Sequence, residues 1–409
     1  MLLQAKTKAH AGSLPKPKAY ILLFSLLSLE LLLCSAFVAP ICHRDPVPRA
    51  CWPAAAKHFA DTAQMPRPIL RQSLRHVALA TRMAAAPSEV ADKELKDKIA
   101  NFYDQSSPLW EEIWGEHMHM GHYGREGDEV KNDQQAQIDM VDRLLEWGDV
   151  NAILGSGAPT AVLDIGCGVG GSSRHIAKKY AGASVTGITL SPIQCEHAKA
   201  RSERAGLTSR TDFRVADALK LPFPDNSFDL LWSMESGEHM PNKAVWLAEC
   251  TRVLKPGGRM LMATWTHRPT AALVCGHESN EELTVKERKL LSKISKYYHL
   301  PQWVSTKDYV KIAQDLGMQS IREDDWSKAC GPFWPAVWKT ALSWKGFKGL
   351  LKTFKDGLET IKGARAVLLM IRGFNKELVR LGLVTFSKPK PPAEPVQLVP
   401  GLDALLPKS

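Results

Sequence analysis

The sequence predicts an α/β fold with a mainly parallel sheet, and three observations support this prediction. Across residues 161–265, short apolar segments alternate with segments of helical periodicity, which is the pattern of repeated strand–helix–strand units. The first apolar segment, residues 162–165, runs into a glycine-rich turn that opens a helix. A Lys-Pro-Gly-Gly turn precedes the last segment, residues 259–265. We therefore expect a sheet with helices on both faces.

The N-terminal segment carries most of the positive charge. The chain of 409 residues has a formal net charge of +10, but residues 1–86 hold 11 Lys or Arg against 3 Asp or Glu, a net of +8. Residues 87–409 therefore carry only +2. Because this part is nearly neutral and contains no groove-reading motif, we expect no nucleic-acid partner.

The same segment has the features of a two-part targeting sequence. A basic leader and an apolar stretch at 20–33 end in small residues, which predicts a signal peptide over residues 1–36. Residues 37–86 are Arg-rich, acid-poor and partly amphipathic, as transit peptides are. Together they resemble the bipartite plastid presequence of algae with complex plastids, which implies a stromal protein or one at an envelope or thylakoid surface. The alternative is a membrane anchor with a disordered linker, although Glu30 and the short apolar run suit a span poorly.

The cysteines indicate a reducing compartment. Three of the eight fall in the N-terminal segment, and the other five are scattered without a Cys-x-x-Cys pair. Neither a disulfide framework nor a zinc site is predicted. A plastid stroma fits this pattern.

Residues 87–154 are predicted to form an N-terminal helical segment, with helices at 91–106 and 138–147. Between them, residues 110–123 are dense in aromatic residues and histidines. His117, His119 and His122 have no carboxylate or cysteine at a recognisable ligand spacing, so we expect no metal ion. The preferred interpretation is a pocket wall that includes Trp114, His117 and His119, and plain core packing is the alternative.

The glycine-rich turn after the first strand is predicted to hold a cofactor. Glycines allow a tight turn and a close approach of the backbone to a ligand, and a helix start offers unpaired N–H groups. A carboxylate at the strand end can hold a cationic or hydroxyl-bearing ligand. The candidate residues are Asp164, Gly166, Cys167, Gly168 and Gly170.

The next two strands supply further candidates for cofactor binding. An NAD site would show Gly-x-Gly-x-x-Gly and an acid about 20 residues later, whereas the second strand, 184–189, ends at Thr189. Ser191 and Pro192 predict a helix start that puts Gln194 in the first turn. Thr189 and Gln194 could together bind a ribose. The third strand, 213–216, ends at Asp217 and Ala218, where the carboxylate could accept an adenine amino group.

The end of the fourth strand is where α/β folds place chemistry. Residues 230–233 form this strand, and Ser233 at its end is a further candidate for cofactor binding. Glu235, Glu238 and His239 follow within six residues. The order of these elements is the one expected of a Rossmann-like methyltransferase that uses S-adenosylmethionine.

Longer strings resemble one family, the γ-tocopherol C-methyltransferases, over about residues 95–388. The strings are FYDQSSPLW (102–110), WGEHMH (114–119), WSMESGEHMP (232–241), WTHR (265–268), DWS (325–327), PFWPAV (332–337) and WKG (344–346). The resemblance implies a seven-stranded sheet, S-adenosylmethionine as methyl donor and Trp334 in the substrate pocket. Met120 and His122 depart from the family pattern.

The resemblance also implies a reaction. The family methylates a chromanol ring carbon, taking γ- to α-tocopherol and δ- to β-tocopherol in vitamin E biosynthesis. A phenol with a pKa near 10 needs a group that takes or shares its proton. We favour Glu238 and His239 for this role and Glu235 for orienting or packing. The alternative is that all three only hold the loop.

Residues 269–388 are predicted to form a helical cap over the sheet domain, residues 155–268, followed by a flexible tail, residues 389–409. Residues 338–386 hold ten Lys or Arg, interleaved with Trp, Phe and Leu, against three acids. This composition suits peripheral contact with an anionic membrane, and the alternative is a cap whose apolar residues form its own core.

Other functions stay open at this point. The acceptor could be another prenylated quinol or, as in plant relatives of the family, an alkaloid nitrogen. A protein of a different class would be a catalytically silent scaffold that binds prenyl lipids, and its mark would be a broken cofactor turn. The sequence makes no prediction of oligomeric state.

Overall fold

One seven-stranded sheet organises the fold in the computed structural model. Its spatial order is β3-β2-β1-β4-β5-β7-β6, with β7 antiparallel to both neighbours and the other pairs parallel. The strands are β1 (Ala161–Ile165), β2 (Ser184–Thr189), β3 (Thr211–Val215), β4 (Phe228–Met234), β5 (Leu254–His267), β6 (Gln319–Asp325) and β7 (Val379–Ser387). The predicted mainly parallel, seven-stranded sheet is confirmed.

The structure describes residues 89–153, 158–270, 282–341 and 357–391, all within one compact unit. The predicted signal peptide and transit segment, the string at 344–346 and residues 392–409 of the predicted tail lie outside the described residues.

The central strands form by burying apolar side chains on both faces. Val162 and Leu163 of β1 and Leu230 and Leu231 of β4 are fully buried. Helices cover both faces of a parallel sheet, so its strands are near-continuous apolar runs.

The helices begin where the sequence provides caps. Ser191 accepts a hydrogen bond from the Gln194 N–H, and Pro192 is the first helical residue, which confirms the predicted helix start. The helices are α1 (Glu89–Trp114), α2 (Asp133–Trp147), α3 (Val150–Ile153), α4 (Gly171–Lys179), α5 (Pro192–Arg204), α6 (Lys243–Val253), α7 (Val285–Tyr298), α8 (Thr306–Asp315), α9 (Phe333–Ala341) and α10 (Gly357–Asn375).

The prediction that residues 269–386 contain only helices is wrong. Strands β6 and β7 lie in this part and complete the sheet. β6 is an edge strand with the sequence QSIREDD, and most of it is exposed, so it lacks an apolar signal. β7 is a short buried run, and periodicity alone cannot distinguish such a run from a buried helix. The sheet therefore takes strands from both sides of residue 268.

The order of the strands indicates where a ligand can bind. The chain builds β1, β2 and β3 outward in one direction and then returns to form β4 on the other side of β1. In open α/β sheets, ligands bind beyond the carboxyl ends of the strands at such a reversal.

Candidate active site

A cavity lies at the carboxyl ends of β1 to β4, between the sheet and helix α1. Its empty space, including the part open to solvent, is about 1060 Å³. The structure brings together there twelve of the residues predicted from the sequence. They are Asp164, Gly166, Cys167, Gly168, Thr189, Gln194, Asp217, Ala218, His117, His119, Glu235 and His239.

The glycine-rich turn has the predicted backbone geometry. Gly166, Gly168 and Gly170 have φ angles of +79°, +53° and +78°, which residues with a Cβ rarely adopt. A Cβ at Gly166 would lie 2.3 Å from the Ser236 Cβ, and one at Gly168 would lie 3.3 Å from the Met118 Sδ. Gly170 itself caps α4 and does not line the cavity.

Polar side chains from the strand ends face the cavity. Asp164 is buried and accepts a hydrogen bond of 2.5 Å from the Ser173 hydroxyl. Burial raises the pKa of Asp164 to about 7. The Thr189 hydroxyl donates to the Gln194 Oε1 at 2.8 Å, and the Gln194 Nε2 donates to the Ser107 hydroxyl at 3.0 Å. The structure thus brings the two predicted ribose contacts together.

Asp217 already has a partner in this structure. Its Oδ2 lies 2.7 Å from the Lys96 Nζ of α1, and its Oδ1 accepts the Leu219 N–H at 2.9 Å. Any ligand that uses this carboxylate must share it with Lys96 or displace it.

His239 pairs with a tyrosine that the sequence analysis did not single out. The Tyr103 hydroxyl lies 2.8 Å from the His239 Nε2, and the His239 Nδ1 is buried without a hydrogen-bond partner. Burial lowers the pKa of His239 to about 3 and raises the pKa of Tyr103. The imidazole is therefore neutral, and the hydroxyl stays protonated at ordinary pH.

Glu235 lines the cavity and holds the segment above it. Its Oε1 accepts the Met120 N–H at 2.6 Å, and its Oε2 accepts the Trp265 indole N–H at 2.9 Å. Burial, followed by repulsion from Glu238, raises the pKa of Glu235 to about 8. Its φ of +50° is unusual for a residue other than glycine, and such strain concentrates at functional sites.

Glu238 and Ser233 are buried but do not line the cavity. The Glu238 Oε2 accepts a hydrogen bond of 2.7 Å from Thr264, and burial raises the pKa of Glu238 to about 7. The Lys243 ammonium donates to the carbonyl of Glu238 and to two neighbouring carbonyls, which fixes the turn. The Ser233 hydroxyl bonds to the Ser236 hydroxyl at 2.8 Å. Both residues therefore hold the loop that follows β4 through contacts outside the cavity lining.

The predicted pocket residues from the aromatic block divide into two groups. His117 and His119 line the cavity, with 3.2 Å between the His117 Nδ1 and the His119 Nε2. Burial lowers their pKa values to about 2 and about 4, so both are neutral. Trp114 belongs instead to the hydrophobic core and does not line the cavity, so core packing, the alternative interpretation, describes it. Trp334, which the family resemblance implied, is likewise a core residue outside the lining of this cavity.

Several cavity residues on or near α1 were missed as site residues, among them Tyr103, Lys96 and Met118. Tyr103 lies in the FYDQSSPLW string, which was the only available signal. Its contact with His239 spans 136 positions, and no local pattern encodes such a separation.

The described residues contain neither a metal-binding cluster nor a membrane-spanning helix. Within 89–153, 158–270, 282–341 and 357–391, no group of three His, Cys, Asp or Glu side chains could hold a metal ion. No helix in the same ranges is both long enough and apolar enough to cross a membrane.

The cavity fits S-adenosylmethionine, which is a cation with an adenosine group. Its lining includes four acidic residues and one lysine, together with neutral histidines. A Cβ at Gly168 would occupy space beside Met118. Asp217, Thr189 and Gln194 provide polar atoms for an adenine and a ribose.

Comparison with known proteins agrees with this geometry. The family described as "Methyltransferase domain" matches residues 163–262. The chain is similar to the probable chloroplastic tocopherol O-methyltransferase of Oryza sativa subsp. japonica, with 46% identity over 72% of this chain and 79% of that protein. It is 44% identical to the chloroplastic tocopherol O-methyltransferase of Arabidopsis thaliana, over 75% of this chain and 86% of that protein.

More distant relatives differ in their reactions. Norajmaline N-methyltransferase of Rauvolfia serpentina is 34% identical over 73% of this chain and 99% of its own. A sarcosine dimethylglycine methyltransferase structure from Galdieria sulphuraria, described as putative, has a TM-score of 0.57 at 21% identity, covering 70% of this chain and 98% of its own. The [4+2]-cyclase SpnF has a TM-score of 0.58 at 23% identity, covering 72% and 97%. These structures confirm the fold, and a fold alone does not fix a reaction.

Proposed function

Because this chain belongs to the tocopherol O-methyltransferase family of S-adenosylmethionine-dependent enzymes, we propose that it methylates a chromanol ring carbon of a tocopherol. The reactions would be γ- to α-tocopherol and δ- to β-tocopherol, in vitamin E biosynthesis. The observation that carries the proposal is a buried carboxyl group, Glu235, that lines the cofactor cavity together with the Tyr103–His239 pair.

S-adenosylmethionine supplies a methyl group on a sulfonium, which is an electrophile. Asp164, Gly166, Gly168, Thr189, Gln194 and Asp217 would hold it. The protein must then increase the electron density of the acceptor ring and remove the one proton that the ring loses overall. Both tasks require a proton acceptor in the cavity.

Glu235 fits this task better than Glu238 or His239. An efficient general base has a pKa near the working pH. The pKa of His239, about 3, makes it a weak base, whereas the pKa of Glu235 is about 8. Glu238 has a suitable pKa, but its carboxylate bonds to Thr264 outside the cavity lining. We assign proton transfer to Glu235, orientation of the acceptor hydroxyl to Tyr103 and His239, and support of the loop to Glu238.

The plastid is the compartment for this activity, in keeping with the chloroplastic relatives. We further propose that the chain comes from an alga with a complex plastid, because a signal-like segment is followed by a transit-like segment at its N-terminal end. A prenylated acceptor resides in a bilayer, so we propose peripheral membrane contact, with residues 269–388 contributing a cap over the substrate.

The experiment is a product assay with the full chain, labelled S-adenosylmethionine and detergent-dispersed γ- or δ-tocopherol. The expected products are α- and β-tocopherol, identified by mass and retention. Binding of S-adenosylmethionine without either product would overturn the tocopherol assignment and favour another quinol or an amine, as in the Rauvolfia relative. No binding at all would favour a silent prenyl-lipid scaffold.

A further inference from the structure

Helix α7 carries four lysines on one face. They are Lys286, Lys289, Lys293 and Lys296. Spacings of three, four and three residues put them in one row along a helix, and all four side chains are exposed. The opposite face packs into the core through Leu290, Leu291 and Ile294, which are buried. We refer to these four residues as the lysine row.

The lysine row is not ion-paired within the part of the chain that the structure describes. Among the described residues, none of its four ammonium groups forms an ion pair, whereas lysines on other helices do, such as Lys179 with Asp142 and Lys311 with Asp315. The one acid within α7, Glu287, is paired with Arg268. Like charges three and four residues apart destabilise a helix, so a row of this kind indicates an anionic partner.

The C-terminal end of α7 lies near the wall of the active-site cavity. Tyr298, at the end of α7, has its ring centroid 6.1 Å from that of Phe102. The Phe102 ring is 5.3 Å from that of Tyr103, which lines the cavity. Only one aromatic side chain therefore separates the helix from the cavity wall.

Apolar exposure accompanies the charge on the same helix and its neighbour. Val285, the first residue of α7, is 72% exposed. Helix α10 packs against α7 and exposes Leu368, with Arg372 one turn farther on and also exposed. Basic residues interleaved with exposed aliphatic side chains are typical of surfaces that bind anionic bilayers.

We propose that the lysine row binds anionic lipid headgroups and holds the rim of the cavity at the bilayer surface. The inference rests on the proposed function only because a prenylated acceptor must be drawn from a membrane. Each lysine near such a surface strengthens binding about fivefold, so reversing two of them should weaken binding by more than about 25-fold.

The test compares two charge-matched double variants of the full chain. Lys289→Glu with Lys293→Glu alters the middle of the lysine row. Lys199→Glu with Arg204→Glu changes the net charge equally on α5, where both side chains are exposed. Binding is measured by co-sedimentation with vesicles of phosphatidylcholine alone and of phosphatidylcholine with about 30% phosphatidylglycerol. The N-terminal segment is identical in all samples, so the ratio of anionic to neutral binding isolates the row.

The expected result is that the α7 variant loses the preference for anionic vesicles, while the α5 variant keeps it and both unfold at the wild-type temperature. Equal loss in both variants, or no preference in the wild type, would overturn the proposal. Retained vesicle preference with selective loss of binding to an acidic protein or a nucleic acid would also overturn it. Detergent-based product formation is measured in parallel, because its absence alongside row-dependent binding would reject the tocopherol assignment and leave this inference standing.

Discussion

Two carboxyl groups follow β4, and their different surroundings support the different roles proposed for them. Burial raises the pKa of Glu235 to about 8 and that of Glu238 to about 7, and the charge of Glu238 adds to the shift at Glu235. Glu235 lines the cavity, while Glu238 bonds to Thr264. A base acts only when it is ionised, so the pKa of Glu235 should govern how turnover depends on pH.

We expect turnover of the wild-type protein to rise with pH toward about 8, because Glu235 loses its proton there. His239 is neutral well above its pKa of about 3, so its titration does not affect turnover in this pH range. Glu235→Gln should lower kcat about 100-fold or more and remove the rising limb of the pH profile. The measurement is kcat/KM across this pH range, and full activity in this variant would reject Glu235 as the base.

Glu238→Gln is the matched control. It removes a neighbouring negative charge without touching the cavity lining, so the pKa of Glu235 should fall and the limb should move to lower pH. A loss of turnover as large as that of Glu235→Gln, with no shift of the limb, would instead support Glu238 as the base.

Residues at the carboxyl ends of strands could be placed at the cavity from the sequence. Asp164, Thr189 and Asp217 all reach the cavity, because the carboxyl ends of parallel strands share one edge. After β4, Gly237–His239 forms a 3₁₀ turn, and sequence spacing does not show which side chains of such a turn face a ligand. Glu235 and His239 line the cavity there, whereas Glu238 does not.

Helix α1 covers the cavity through polar contacts along one face. Lys96 pairs with Asp217, Tyr103 contacts His239, and Ser107 accepts from Gln194. Asp104 accepts from the Ser191 hydroxyl. These contacts join α1 to residues that follow β2, β3 and β4, including Gln194 in the first turn of α5, and hold the helix over the cavity.

Tyr103→Phe should lower turnover about tenfold to 100-fold while changing S-adenosylmethionine affinity little, because it removes only the hydroxyl that bonds to His239. Tyr180→Phe, on the cap of α4 outside the cavity lining, should behave as the wild type. Single-turnover rates and cofactor titrations give the two quantities. A purely structural Tyr103 would instead lower thermal stability and leave the single-turnover rate unchanged.

Elements with strong local signals were predictable and the others were not. The capped helix at Ser191 and the apolar strands β1 and β4 lie where the sequence indicated. β6 was missed because an exposed edge strand has no apolar pattern. The position of α1 over the cavity depends on contacts between residues far apart in the chain, as with Tyr103 and His239, so periodicity could show the helix but not its location.

Over the whole molecule, charged residues are concentrated in three places: the N-terminal segment, the cavity lining and the lysine row. Most of the excess positive charge lies in residues 1–86, while the cavity lining is acidic and the lysine row is basic. Positive and negative residues nearly balance over residues 87–409, so net charge argued against a nucleic-acid partner but could not reveal either surface.

The most direct test of the assignment of this cavity to S-adenosylmethionine is calorimetric titration of the cofactor into two single variants, Gly168→Ala and Gly206→Ala. Both glycines have positive φ, at +53° and +67°, so both variants should lose about 1 kcal/mol of stability. Only the Cβ at Gly168 enters the cavity, near Met118, whereas a Cβ at Gly206 meets no atom within 4 Å. We expect Gly168→Ala to weaken binding about tenfold or more and Gly206→Ala to bind as the wild type does. Equal affinity in the two variants would contradict the assignment of this cavity to the cofactor.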